Sequence, residues 1–144
     1  LYQKDSSDWS IVEGGAWGKL KYNQSCFTFD YVFNGHGLAK NTEYSLIYYA
    51  DPWPGNNPGM LIASGESNPG GNLNLVGSID LGMDLPSELD QNFPDGAKLW
   101  LVLSSDYDAA TNQMTAWNPD SYLFEAALIS YDWCGNNQEP PPTD

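Results

Sequence analysis

Arginine is absent from this chain, histidine occurs once and lysine only five times. Against those few cations stand 19 acidic residues, for a formal net charge of −14. So acidic a surface repels phosphate backbones and anionic lipid headgroups, which excludes nucleic acid and membrane surfaces as direct partners. It suits solubility in a salty or extracellular setting, or contact with cations. No apolar run approaches the ~20 residues of a membrane-spanning helix, so no direct membrane insertion is expected. The chain opens at Leu1 with no basic segment ahead of an apolar stretch, and reads as processed or excised from something longer.

Catalytic signatures are equally scarce. A lone histidine, His36, cannot form the usual multi-histidine metal site. It lies in FNGHGL, where Gly35 and Gly37 suggest a tight turn closing a strand. The sequence contains no Gly-x-Ser-x-Gly elbow, His-Glu-x-x-His helix or phosphate loop, and nothing local marks Cys26 and His36 as a nucleophile pair. No enzymatic activity and no required cofactor are expected. The two cysteines, Cys26 and Cys134, sit near the ends of candidate strands. A disulfide between them would close most of the chain into one loop, add ~4–5 kcal/mol in the chain-entropy model and imply an oxidising compartment. The other reading is two free thiols.

What the chain does have is aromatic and alternating. Its 144 residues suffice for one domain with a core, and 14% are aromatic, too many for a disordered segment. CFTFDYVF sets Phe27, Phe29, Tyr31 and Phe33 on one face and Thr28, Asp30 and Val32 on the other, the period of a strand. WGKLKY alternates Leu20 and Tyr22 against Lys19 and Lys21, and NQS between these two stretches reads as a hairpin loop. TEYSLIYYA is apolar on both faces, like a central strand. GMLIASGES, NLNLVGSID and AKLWLVLSS add further strands, with a turn at NPGGN. SYLFEAALISYDW opens on a helical turn after Asn118-Pro119-Asp120 and then fits a long strand from Leu123 to Trp133. Seven to eight strands without a long amphipathic helix predict an all-β fold, an antiparallel β-sandwich of immunoglobulin-like general shape. Residues 1–15 form a first strand or a strand donated to another subunit, 16–134 the sandwich, and 135–144 a Pro-rich tail or linker.

Candidate sites follow from residue chemistry. Hard cations take carboxylate and carbonyl oxygens, so calcium could be held by Asp84, Asp90 and Asp95 of one long loop with Asp106 and Asp108 of another; the alternative is solvated acidic loops. Sugar rings stack on flat aromatic side chains beside amides and carboxylates. DPWPGNN offers Asp51, Trp53, Asn56 and Asn57 next to Tyr49, and AWNPD offers Trp117, Asn118 and Asp120. The alternative is that these indoles cap open ends of the sandwich. Consecutive strand residues face opposite ways, so one of Tyr48 and Tyr49 is expected on the surface. Asn23-Gln24-Ser25 is a glycosylation sequon on a hairpin tip. Leu1, Tyr2, Trp9, Ile11 and Val12 form an apolar N-terminal set that serves either as an ordinary first strand or as a strand paired with another copy.

WGKLKYN, FDYVFNGHGL, YSLIYYADPWPGN, DGAKLWLV and WNPDSYLFE together resemble a Trp- and Gly-rich β-sandwich module that recurs in secreted and surface proteins, notably of archaea. The resemblance runs from about Trp9 to Asp132. It implies an extracellular or cell-surface location and the character of a module among neighbouring domains of a surface protein; self-association, the building of a surface or filamentous assembly, is the expectation drawn from the N-terminal set, and glycans as partners that drawn from the Trp53 and Trp117 loops. It implies no catalytic residues.

Overall fold

A computed structural model describes residues 1–50 and 59–134. In chain order the strands are β1 (Lys4–Asp5), β2 (Ser10–Ile11), β3 (Trp17–Tyr22), β4 (Ser25–Cys26), β5 (Phe29–His36) and β6 (Glu43–Tyr49). They continue with β7 (Met60–Glu66), β8 (Leu73–Ile79), β9 (Lys98–Leu103), β10 (Tyr107–Asp108), β11 (Gln113–Met114) and β12 (Asp132–Trp133). Among the described residues the only helical pieces are the 3-10 turns Ser104–Asp106 and Pro119–Ser121. The second is the turn expected after Asn118.

Two antiparallel three-stranded sheets, β3–β5–β8 and β7–β6–β9, carry the fold as an all-β sandwich. They differ in how many faces they bury. On the first sheet Phe29, Phe33, Leu73 and Leu75 point into the core, while Lys19, Lys21, Asp30, Asn74 and Ser78 face water. That is the alternation of a half-buried sheet. The second sheet is covered on both sides. Tyr44, Leu46, Tyr48, Leu99 and Leu101 join the core between the sheets. Ile47, Tyr49, Trp100 and Val102 enter a second core on its outer face with Tyr107, Met114, Tyr122 and Phe124. The connection of residues 104–124 supplies that cover, which is why β6 is apolar on both faces. Both Tyr48 and Tyr49 are therefore buried, at 0% and 8% exposure, contrary to the expected surface tyrosine.

The two sheets are stitched along one side by the chain's first residues. Leu1 exchanges backbone bonds with Gly18 of β3, its amine donating at 2.8 Å. Tyr2 exchanges two 2.8 Å bonds with Phe124, and Leu123 exchanges two 2.9 Å bonds with Leu101 of β9. The path from β3 to β9 thus runs through Tyr2 and Phe124.

The long strand expected from Leu123 to Trp133 is replaced by short contacts with changing partners. Leu123 meets Leu101, Phe124 meets Tyr2, Ile129 meets Ala97 and Tyr131 meets Leu85; Asp132–Trp133 then runs parallel to β4. Each partner belongs to a different element, so no single ladder can extend. The expected disulfide is likewise not formed, and Cys26 and Cys134 are free thiols. Phe27, assigned by alternation to the core face, lies before β5 and is 54% exposed.

A Cβ at Gly18 would lie 2.3 Å from the Phe33 ring. Gly18→Ala should cost roughly 1–3 kcal/mol by overpacking, read as a lowered denaturant midpoint. Burial raises the phenol pKa of Tyr44 and Tyr107; burial and then the Asp106 carboxylate raise Tyr122; and burial pushes Tyr131 up to about 12. These phenols keep protons in the folded state that an unfolded chain gives up from about pH 10. Stability should therefore be undiminished by these groups below pH 10 and fall as pH rises through about 12. Denaturant melts across that range should show the decline together with late tyrosinate absorbance.

Candidate functional site

The outer core opens to solvent at a cleft of about 260 Å³ lined by Lys4, Trp9, Lys98, Trp100, Trp117, Phe124 and Glu125. Its floor is Trp100 and Phe124, exposed by 7% and 2%. Its walls are Trp9 and Trp117, exposed by 47% and 38%, with ring centroids 6.3 Å apart and planes tilted by 55°. Trp100 is fixed from two sides. Its ring stacks on Tyr49 at 3.8 Å, and its Nε1–H donates to Glu125 Oε1 at 2.5 Å. Lys4 Nζ donates to the Glu125 carbonyl at 2.7 Å and lies 4.0 Å from its carboxylate.

Trp9 reaches the cleft from the loop of the β1–β2 hairpin. Asp5 Oδ1 accepts the Ser7 N–H and hydroxyl, and Asp8 Oδ1 accepts those of Ser10, which folds the loop. Trp9 takes φ of +61°, a left-handed conformation in which glycine or asparagine would be at ease. A bulky residue persists there only when its surroundings hold it. Here the indole packs edge-on against Phe124 at 5.2 Å, with Trp117 beyond.

Trp117 is held by a polar hub in the connection behind it. Asp106, 6% exposed, accepts from the Tyr122 hydroxyl and, at 2.8 Å, from Asn118 Nδ2. The Tyr122 oxygen in turn accepts the Asn118 N–H at 2.9 Å. The Tyr122 ring lies edge-on to Trp117.

The structure sorts the expected residues. Tyr49 and Trp117 belong to the cleft, Tyr49 as support beneath Trp100 and Trp117 as wall. Asn118 and Asp106 position that wall. Asp51, Trp53, Asn56 and Asn57 lie outside the described residues. The calcium set is not brought together, and among the described residues no group of three potential ligands could hold a metal. The carboxylates have other work. Asp90, 3% exposed, accepts the Tyr48 hydroxyl at 2.6 Å and the Asn92 N–H at 2.9 Å. Asp84 accepts the Trp133 N–H, and Asp108 that of Ala110. No ligand role is seen for Asp95. At the sequon, Asn23 Nδ2 donates to the Thr28 carbonyl at 2.9 Å and its Oδ1 accepts the Asp30 N–H. A glycan there would replace one of the two Nδ2 hydrogens, which now donate to the Thr28 and Ser25 carbonyls.

His36 packs against Trp17, with ring centroids 4.6 Å apart and planes tilted by 39°, and bonds Asn72. It ends β5, whose eight residues separate it from Cys26 by more than ~20 Å, so those two form no pair. The N-terminal set divides: Leu1 and Tyr2 stitch the sheets, Trp9 walls the cleft, and Ile11 and Val12 are exposed. Trp100, Phe124, Lys4, Lys98 and Glu125 were not anticipated as site residues. The available signal was the second face of AKLWLVLSS, where Trp100 aligns with Val102 away from the leucines. Compared with family models, curated proteins and solved structures, the chain matches none.

Removing the hub should loosen the Trp117 wall. Asp106→Ala leaves the buried Tyr122 hydroxyl with only the distant Ala116 carbonyl at 3.4 Å and removes the acceptor of Asn118 Nδ2, at a cost of ~1–3 kcal/mol. Limited proteolysis should then cut within 104–121 before the rest of the fold opens.

Proposed function

We propose that this chain is a non-catalytic β-sandwich recognition module of an extracellular or cell-surface protein, and that its aromatic cleft binds carbohydrate. The observation that carries the reading is the convergence of two solvent-exposed indoles, Trp9 and Trp117, over a buried Trp100 floor. Exposed indole faces are expensive to leave wet, and they match the apolar faces of pyranose rings. The cleft is smaller than a drug-sized pocket of roughly 300–1,000 Å³ and suits one ring or a chain end. A neutral sugar fits best: the net charge of −14 repels acidic chains, and Lys4 is already turned to Glu125. The resemblance to secreted Trp- and Gly-rich sandwich modules supports the extracellular setting.

A second reading, a building block that polymerises by strand addition, is favoured by the joint at Leu1–Tyr2. A groove of about 380 Å³ runs on from it along the outer edge of β3, past Leu20 and Tyr22 and opposite Ala126 to Ile129. A neighbour's N-terminal strand could pair there.

Trp9→Gly separates binding from folding, because glycine relieves the left-handed backbone while deleting the wall. Titration with neutral oligosaccharides selected on a glycan array should show at least ~10-fold weaker binding for Trp9→Gly, and likewise for Trp117→Ala measured below its lowered melting temperature. Binding indifferent to both substitutions would overturn the cleft as the site. For the second reading, sedimentation should show concentration-dependent polymers that vanish when residues 1–3 are deleted; a strict monomer at all concentrations would exclude it.

A further inference from the structure

The two free cysteines lie on segments that the fold itself places side by side. β12 runs parallel to β4, with Asp132 opposite Ser25 and Trp133 opposite Cys26. Asp132 N–H donates to the Gln24 carbonyl at 2.9 Å. The side chains on either side of that register clamp the backbone around Cys26. Tyr131 Oη donates to the Cys26 carbonyl at 2.6 Å, and Trp133 Nε1–H donates to that of Phe27 at 3.1 Å. Tyr131 is fully buried against Phe29, so the clamp is anchored in the main core. Cys134 follows directly on Trp133, the residue paired with Cys26, which places the two thiols on adjacent segments close enough to influence each other. Cys26 is exposed and Cys134 half-buried, and neither is bonded.

From this juxtaposition we infer that Cys26 and Cys134 are an oxidative modification site: a dithiol that small-molecule disulfides convert to an intramolecular bridge, clasping residues 131–134 to β4. The clasp secures a contact that the chain already makes without it.

The chemistry is thiol–disulfide exchange. The Cys26 thiolate, the more accessible, attacks one sulfur of a low-molecular-weight disulfide and expels the first small thiol. The Cys134 thiolate attacks the Cys26 sulfur of the mixed disulfide and expels the second. Two protein thiols lose two protons and two electrons, one S–S bond forms, and the reagent's S–S bond is reduced to two thiols. Burial, and after it the neighbouring Cys26, hold the Cys134 thiol pKa above its ordinary value, so Cys134 suits the second, resolving step. Closure links residues on either side of almost the whole sandwich, where a crosslink limits the unfolded chain most.

The test uses the full chain, reduced and then exposed to oxidised glutathione. Intact mass should show loss of two hydrogens without lasting glutathione adduct, and the melting temperature should rise by on the order of 10 °C, reversibly with dithiothreitol. Cys26→Ser and Cys134→Ser should each stop at a stable mixed disulfide and melt like the reduced wild type. Persistent adducts on the wild type, covalent dimers, or a bridge that leaves the melting temperature unchanged would overturn the inference. If a serine variant fails to fold, timed alkylation of the wild type decides: oxidation should protect both thiols together, and protection of one alone would refute the clasp.

Discussion

Strand β6 is apolar on both faces, and much of the molecule answers that constraint. Tyr44, Leu46 and Tyr48 need one cover and Ile47 and Tyr49 another. The facing sheet provides the first. The second must come from outside the sandwich, because a sheet face bearing Trp100 and Val102 cannot be left in water without losing roughly 25 cal/mol per Å² of apolar area. Residues 104–124 lie over it, pinned by the Asp106–Tyr122–Asn118 hub. A third layer of side chains is thereby added to a two-layer fold. At the aromatic cleft this layer stops short of full coverage.

The same requirement explains why the N-terminus is structural. Phe124 closes the outer core and at the same time pairs its backbone with Tyr2. The segment that seals one face of the second sheet is thus tied to the edge of the first. Trp9 extends this arrangement, its strained backbone held by its ring's contact with Phe124. The wall of the cleft and the joint between sheets belong to one short stretch of chain, which links the recognition and assembly readings physically.

Acidic side chains follow a similar logic. Asp90 and Asp106 are buried because each collects hydrogen donors from a tyrosine and an amide, Asp106 within its own connection and Asp90 partly from Tyr48 of β6. A carboxylate satisfied in this way organises a loop in place of a cation. Local sequence shows only that acids cluster there; whether they turn inward to tyrosines or outward to an ion depends on partners 42 residues away, as Tyr48 is from Asp90.

Alternation by itself determined the β class and the core faces of β3, β5 and β8, because side-chain direction along a strand has period two whatever the strand packs against, and composition marked β6 as apolar on both faces. The left-handed glycine turn at His36-Gly37 and the 3-10 turn at Pro119 were also local matters of backbone preference. Tertiary structure alone decided that Leu123–Trp133 is a series of short pairings, that Tyr48 and Tyr49 are both buried, that the calcium candidates stay apart and that Trp9 meets Trp117. Each of these depends on contacts between residues distant in sequence, and no period along the chain encodes which distant partner arrives. The cysteines show both sides: their presence near strand ends was legible, but only the parallel pairing of β12 with β4 sets them on adjacent segments.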